Sequence, residues 1–210
     1  TAEALSSAYR NLISGHTFRA FYVGSKSIDE VEERLKKILL SYLPRTTSGE
    51  NSGTECSNMV KEIKRVEEEM SLLQGKLVLG FRTGINVCHS DFYPMLVLSE
   101  IYGGSPVSKL FMNVRERLSL CYYCSASYDI YKGVMFVSCG VDPSSREKAE
   151  TEILHQLEEI RRGRITKSEF DAAIKSLISS YRAISDLPST MESFYAGREL
   201  FGVHCTVSEF

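Results

Sequence analysis

Two neighbouring stretches decide the fold: Leu118-Ser-Leu-Cys-Tyr-Tyr-Cys-Ser-Ala-Ser-Tyr128 and Val134-Met-Phe-Val-Ser-Cys-Gly-Val141. Both are rich in tyrosine, valine, phenylalanine and serine, which predicts two long β-strands. The short connection around Tyr131-Lys132-Gly133 predicts that these strands pair as an antiparallel hairpin. We therefore expect a mostly antiparallel sheet.

Helix and strand patterns on both sides of the hairpin indicate an α+β protein. Apolar residues recur at helical spacing, and capping boxes such as Thr166-x-x-Glu169 mark helix starts. The elements predicted beyond residue 60 are strands over 61–70 and 75–83, a buried helix from Ser90 or Asp91 to Tyr102, a helix over 106–118 capped by Ser105, the hairpin, and three helices, over 149–163, from Thr166 and from Ser189. This order favours a mostly antiparallel sheet covered by helices on one face.

A change in composition predicts how the chain is divided. Residues 44–58 are rich in threonine, serine, glycine and asparagine without apolar periodicity, which is typical of a linker. The linker separates residues 1–43 from an α+β module over 59–210. Because the chain begins at Thr1 rather than at a methionine, and ends on a helix-start pattern with no helix after it, we expect a piece of a longer protein whose module is truncated at its C-terminal end. The elements predicted before the linker are a helix over 2–13, a strand over Thr17–Val23 and a helix over 27–41.

The overall composition excludes several classes of protein. The 210 residues are 43% hydrophobic and 25% charged, with a formal net charge of −2. This balance argues against a polybasic nucleic-acid binder. No apolar run approaches the ~20 residues that span a bilayer, and no signal-peptide pattern is present. The six dispersed cysteines are interpreted as reduced thiols, so we expect a cytoplasmic protein.

Two residue pairs are candidate metal or redox sites. Cys121-x-x-Cys124 is the one close cysteine pair, but a strand that alternates would point its two thiols to opposite faces. His155 and Glu159 share a helix face at i and i+4 and come close to the inverted zinc motif H-x-x-E-H, with Glu159 where the second histidine would be. A solvated charged helix face is the commoner explanation of that second pair.

A glycine-rich helix start is a candidate phosphate site. Gly103-Gly104-Ser105 is followed by Lys109, and helix N-termini bind anions. The spacing of a phosphate loop, G-x-x-x-x-G-K-[ST], is absent. A tight turn between two helices is therefore the preferred interpretation of the glycines.

A longer motif over residues 103–122 reads Gly-Gly-Ser-x-x-Ser-x-Leu-Phe-x-x-Val-Arg-Glu-x-x-x-Leu-x-Tyr. It closely resembles the C-terminal peptidase domain of the insulinase/pitrilysin family, which includes mitochondrial processing peptidase. The resemblance covers roughly residues 1–200 and implies the α+β fold of LuxS and of mitochondrial processing peptidase. Further segments that resemble this family are Gln74-Gly-Lys-Leu77, Lys132-Gly133 and Arg162-Gly163-x-Ile-Thr-x-x-Glu169.

The resemblance implies that chemistry is divided between two halves. In such proteins the first half carries the zinc, the H-x-x-E-H motif and the general-base glutamate, and the second half has the same fold without metal. An arginine and a tyrosine seven residues apart reach from the second half to the peptide at the zinc, and these positions match Arg115 and Tyr122. A guanidinium and a phenol can donate hydrogen bonds to the substrate carbonyl or to the oxyanion it becomes. From the residues alone, Arg115 is a helix-end cation and Tyr122 a half-buried strand tyrosine.

The function that the resemblance implies is a zinc-less C-terminal domain of an insulinase-type metallopeptidase-like protein, inactive alone. It would bind extended peptide and supply Arg115 and Tyr122 to zinc on another half or on a paralogous subunit, with no metal or other cofactor in this chain. One alternative is a structural or interaction domain of a homologue that has lost peptidase activity. Another, a self-sufficient metal or thiol enzyme built on His155 or Cys121, lacks a set of ligands.

The family resemblance also implies internal duplication. Residues 1–42 resemble the end of the preceding half, and 188–210 resemble an incomplete start of the equivalent segment in this half. We therefore expect the strand over Thr17–Val23 to complete the sheet of the module, within one chain or by exchange in a homodimer.

Overall fold

The computed structural model describes residues 1–15, 19–40, 60–71 and 74–210. At the centre of these residues is a three-stranded antiparallel sheet in the order β1-β3-β2. The predicted hairpin is confirmed, although β2 starts at Cys121 because residues 118–120 are used in a turn. The strands are β1 (Gly75–Arg82), β2 (Cys121–Asp129) and β3 (Val134–Val141).

Helices account for most of the remaining described residues. Two α-helices begin where the sequence predicts, because Ser27 caps the first through the Glu30 backbone N–H and Thr166 forms a reciprocal capping box with Glu169. The helical elements are α1 (Ala2–Gly15), α2 (Ile28–Leu39), α3 (Phe92–Ser99) with a π-helical continuation over Glu100–Gly104, a second π-helical segment over Leu110–Arg117, α4 (Arg146–Arg161), α5 (Lys167–Arg182) and α6 (Pro188–Glu199), with short 3₁₀ turns at Pro143–Ser145 and Ala183–Asp186.

Helices cover one face of the sheet. On β3, Met135 and Val137 point into the core and are at most 2% exposed, whereas Phe136 between them is 43% exposed on the opposite face. Tyr102 and Leu110 are fully buried and belong to the same core as these strand residues. The predicted α+β fold, with its antiparallel sheet and one helix-covered face, is confirmed.

The strand predicted over 61–70 is wrong. Residues 60–71 have no regular secondary structure, and two ion pairs attach them to α4: Arg65 to Glu150 at 2.6 Å and Glu67 to Arg146 at 2.8 Å. Charged residues dominate this stretch, so its side chains pair with charges on a helix. A strand of the sheet would instead bury an apolar face.

The strand predicted over Thr17–Val23 is also not supported within one chain. Thr17 and Phe18 lie outside the described residues. Residues 19–23 form no strand, and Arg19 instead pairs with Glu199 of α6 at 3.1 Å. Completion of the sheet in cis is therefore wrong for the described residues, while exchange between chains stays a prediction. The predicted linker over 44–58 lies outside the described residues.

Two predicted helix starts lie elsewhere. Residues 106–108 form a turn, so the helical segment begins after them and Pro106 is not its first residue. The last helix begins at Pro188, directly after Leu187, and is not capped by Ser189, because proline is already suited to the first helical position.

Within the described ranges, no helix combines the length and apolar character needed to cross a membrane.

Candidate functional site

The candidate site lies where the π-helical segment Leu110–Arg117 joins β2. A backbone hydrogen bond from the Leu120 N–H to the Val114 carbonyl, 3.1 Å long, ties the end of the helical segment to the start of the strand. Val114 is fully buried and anchors this junction in the core. Ser119 between them has φ +49°, a left-handed conformation that is uncommon for a residue other than glycine. The junction is thus a tight, packed turn.

Arg115 directly follows the anchored Val114. Its side chain is partly exposed at 39%, and its Nη1 atom lies 3.7 Å from Glu116 Oε1. The guanidinium carbon is 4.6 Å from the centre of the Phe111 ring, one helical turn earlier, which is within the range of a cation–π contact. These contacts hold the guanidinium near the junction and leave part of it accessible to a ligand.

Tyr122 is the extra residue of a β-bulge at the start of β2. Cys121 is opposite Val141 and Tyr123 is opposite the preceding residue Gly140, so Tyr122 has no partner on β3. Bulges re-aim side chains, and Tyr122 is 66% exposed. The sequence expectation of a half-buried strand tyrosine is wrong for this position. The structure therefore places Arg115 and Tyr122 on the two sides of one short junction.

The same bulge brings together three thiols. In a regular strand Cys121 and Cys124 would face opposite sides, but one extra residue reverses that parity. The sulfur atoms of Cys121, Cys124 and Cys139 all lie within 4.8 Å of one another, so the expectation of opposite faces is wrong. Sequence reasoning missed Cys139 because its place opposite Cys124 depends on strand register.

Two of the three thiols in this cluster, those of Cys121 and Cys124, are held in their neutral form, whereas the hydrogen bond with Cys124 lowers the pKa of Cys139 against the opposing effect of burial. Burial, followed by the neighbouring Cys139, raises the pKa of Cys121 to about 12, although the positive charge of Arg115 acts in the opposite direction. The hydrogen bond with Cys139, followed by burial, also raises the pKa of Cys124. Neutral thiols pack as small apolar groups, which suits their place in the core.

The glycine-rich candidate has a packing role. A Cβ at Gly103 would lie 2.4 Å from the Ala126 backbone nitrogen, so only glycine allows this close approach of helix and sheet. Lys109 is buried and pairs with Glu169 at 2.8 Å. Burial acts to raise the pKa of Glu169, but hydrogen bonds from Lys109 and Thr166 outweigh it and keep this pKa below its usual value. The lysine is therefore engaged in the fold, in agreement with the tight-turn interpretation.

The His155 and Glu159 pair is not assembled as a metal site. Glu159 is bound by Arg164, whose Nη1 atom donates to both carboxylate oxygens at 3.0 and 2.9 Å. Among the described residues, His155 belongs to no group of three close ligand-type side chains. A charged helix face, with His155 exposed and Glu159 partly buried in its ion pair with Arg164, explains these residues.

The comparison with protein families identifies the chain. The sequence model described as "Peptidase M16 inactive domain" matches residues 1–177. This chain belongs to that family. The match confirms the resemblance predicted from the motif over residues 103–122.

Similar proteins agree with this assignment to the M16 family. "Probable inactive metalloprotease YmfF" of Bacillus subtilis (strain 168) is 29% identical over 178 residues, which cover 85% of this chain and 41% of the relative. "Uncharacterized zinc protease YmxG" of the same organism is 28% identical over 139 residues, covering 65% of this chain and 34% of the relative. The crystal structure of a conserved protein from Enterococcus faecalis V583 is 29% identical, with a TM-score of 0.75, and the match covers 88% of this chain and 43% of that one. The chain thus spans less than half of each of these relatives.

Proposed function

We propose that this M16 inactive domain binds extended peptide and presents Arg115 and Tyr122 to a zinc centre on another domain or on a paralogous subunit. The observation that carries the proposal is the junction itself. A packed turn and a bulge leave two hydrogen-bond donors exposed at the two ends of this junction, Arg115 in part and Tyr122 at 66%. Alone, the chain is expected to be inactive.

The two side chains suit the chemistry of peptide hydrolysis. The Arg115 guanidinium is charged at any physiological pH and can donate to a carbonyl oxygen that is gaining negative charge. The Tyr122 hydroxyl can donate a second hydrogen bond to the same oxygen. Donors that are already oriented stabilise the developing oxyanion without further reorganisation. The Phe111 ring and the buried Val114 provide that orientation for Arg115.

The sheet offers a way to bind the peptide. Within the described sheet, β2 is an outer strand, and it begins at the candidate site. An extended peptide that pairs with this edge would form backbone hydrogen bonds that are independent of its sequence. Such a peptide would pass Tyr122. Because pairing with a strand edge requires an extended backbone, unstructured peptides are the expected ligand class.

A second candidate function is a purely structural or interaction domain. The name of one relative, "Probable inactive metalloprotease YmfF", favours it. In that case Arg115 and Tyr122 contact a partner protein and no bond is cleaved.

We also propose a cytoplasmic location, because the described cysteines are free thiols, as expected in a reducing compartment.

Reconstitution of activity separates the two functions. The chain is mixed with the zinc-bearing half of its protein, or with a zinc-bearing paralogous subunit, and hydrolysis of an unstructured peptide is measured together with zinc content. Activity that appears only on mixing, with the zinc on the other component, is the expected result. Absence of hydrolysis in every mixture would favour the interaction domain.

Substitution of Arg115 tests its role in the active mixture. Arg115→Ala should lower kcat/KM by about tenfold or more while zinc content is unchanged, because a donor to the transition state is lost. The matched control is Arg117→Ala, since Arg117 lies on the same segment and pairs with Glu152 at 3.5 Å. Equal effects of the two substitutions would remove Arg115 from the mechanism.

A further inference from the structure

The cysteine cluster is a set of soft metal ligands that the peptidase chemistry does not use. Cys124 and Cys139 are 3% and 0% exposed, and they are directly opposite each other on β2 and β3. Cys121 is half-buried and completes the group, with all three sulfur atoms within 4.8 Å of one another. Two adjacent strands thus fix the backbone of every ligand.

The spacing of the sulfur atoms fits coordination of one ion. A metal–sulfur bond of about 2.3 Å places three sulfurs of a trigonal plane about 4 Å apart. The observed upper limit of 4.8 Å lies close to that spacing, so small rotations of the side chains suffice. Because β2 pairs with β3 from Cys121 onward and β3 also pairs with β1, the backbone of the site is largely preorganised.

We propose that Cys121, Cys124 and Cys139 bind one Cu(I) ion in trigonal three-sulfur coordination. Thiolate sulfur is a soft ligand that favours Cu(I). Zinc also binds thiolates, but structural zinc sites take four protein ligands, and no fourth cysteine, histidine or carboxylate within residues 1–15, 19–40, 60–71 and 74–210 joins the group. A three-coordinate soft ion therefore matches the ligands better than zinc does.

The surroundings supply an entry and a compensating charge. Cys121 is the most accessible of the three and lies at the start of β2, where a Cu(I) ion can first be captured. The Arg115 guanidinium acts electrostatically on Cys121, so it offsets part of the negative charge of a copper–thiolate complex. Each thiol that becomes a thiolate ligand releases one proton, so binding by all three releases three protons per Cu(I).

The test isolates the cluster from the other cysteines. In a variant that combines Cys56→Ala, Cys88→Ala and Cys205→Ala, the three proposed ligands are the cysteines that remain. The full chain is reduced, kept free of oxygen and titrated with Cu(I) held by a competing chelator. Native mass spectrometry gives the stoichiometry, and thiolate-to-copper charge-transfer absorption reports the ligands. We expect one Cu(I) per chain, with an affinity within about twofold of the unsubstituted chain.

The reciprocal variant and a second metal complete the experiment. Cys139→Ala should lower Cu(I) affinity by about tenfold or more, with circular dichroism used to verify that it is folded. A triple variant that binds no Cu(I) would overturn the proposal even if Cys139→Ala fails to fold. Equal affinity of Cys139→Ala and the unsubstituted chain would also overturn it, as would tighter binding of Zn(II) than of Cu(I) by the triple variant.

Discussion

The start of β2 and the remainder of the same strand follow different rules. Beyond the bulge, Cys124 and Ala126 point into the core, at 3% and 8% exposure, and alternate with exposed serines. At the bulge, Tyr122 and Tyr123 are both exposed, 66% and 40%. One extra residue thus creates a presented tyrosine and also turns Cys121 toward the other thiols. Both candidate sites therefore depend on one local departure from an otherwise regular sheet.

We expect the greatest loss of stability when a charge is placed in the regular part of β2. Ala126→Glu should destabilise the fold by about 4 kcal/mol or prevent folding, because an unpaired carboxylate would be buried under the closely packed Gly103. Ser127→Glu, one residue away on the exposed face, should change stability by less than about 0.5 kcal/mol. Urea unfolding measures both. Similar losses for the two variants would contradict the alternation.

A smaller effect is expected opposite the bulge. A Cβ at Gly140 would lie 2.3 Å from the Tyr123 ring, whereas a Cβ at Gly80 would meet the Phe136 ring at 3.6 Å, an ordinary contact. Gly140→Ala should therefore cost about 1–2 kcal/mol as Tyr123 is displaced. Gly80→Ala, in the regular part of the sheet, should be neutral or stabilising by up to about 1 kcal/mol. Thermal unfolding that ranks the two variants in the reverse order would argue against the packing described for the bulge.

The smallest effect on stability is expected when the bulge itself is removed. Deletion of Tyr122 leaves Cys121 and Cys124 two residues apart, so both keep their inward direction in a regular strand. The free energy of unfolding should change by less than about 1 kcal/mol. Deletion of Ser125 is the matched control, because it shifts the pairing register by one residue and turns inward side chains outward, at a cost of about 3 kcal/mol or more. Amide hydrogen exchange across β2 and β3 would show whether the pairing survives.

The hairpin could be predicted from sequence because its information is local. Alternation and turn residues are properties of neighbouring positions, and β3 begins and ends where the pattern predicts. The bulge could not be predicted from the sequence, because it depends on how β2 aligns with β3. One signal was present: two successive tyrosines, Tyr122 and Tyr123, interrupt the alternation.

Other differences between prediction and structure also have non-local causes. Residues 60–71 contain enough β-forming side chains to suggest a strand, yet their charges pair with α4, and only the tertiary structure places that helix beside them. The π-helical form of Leu110–Arg117 carries the same apolar spacing as an α-helix, so periodicity does not distinguish the two. Arg115 was identified through the family motif, because a charged residue at a helix end has no specific signal of its own.

The most direct test of the proposed function uses Tyr122→Phe in the active, zinc-containing mixture. The substitution keeps the aromatic ring and the bulge and removes only the phenol hydroxyl, while Tyr123→Phe on the adjacent exposed tyrosine is the matched control. We expect Tyr122→Phe to lower kcat/KM by about tenfold or more, with zinc content and the pairing of β2 with β3 unchanged. Unchanged turnover by folded Tyr122→Phe, or an equal loss in Tyr123→Phe, would contradict the proposed role of Tyr122.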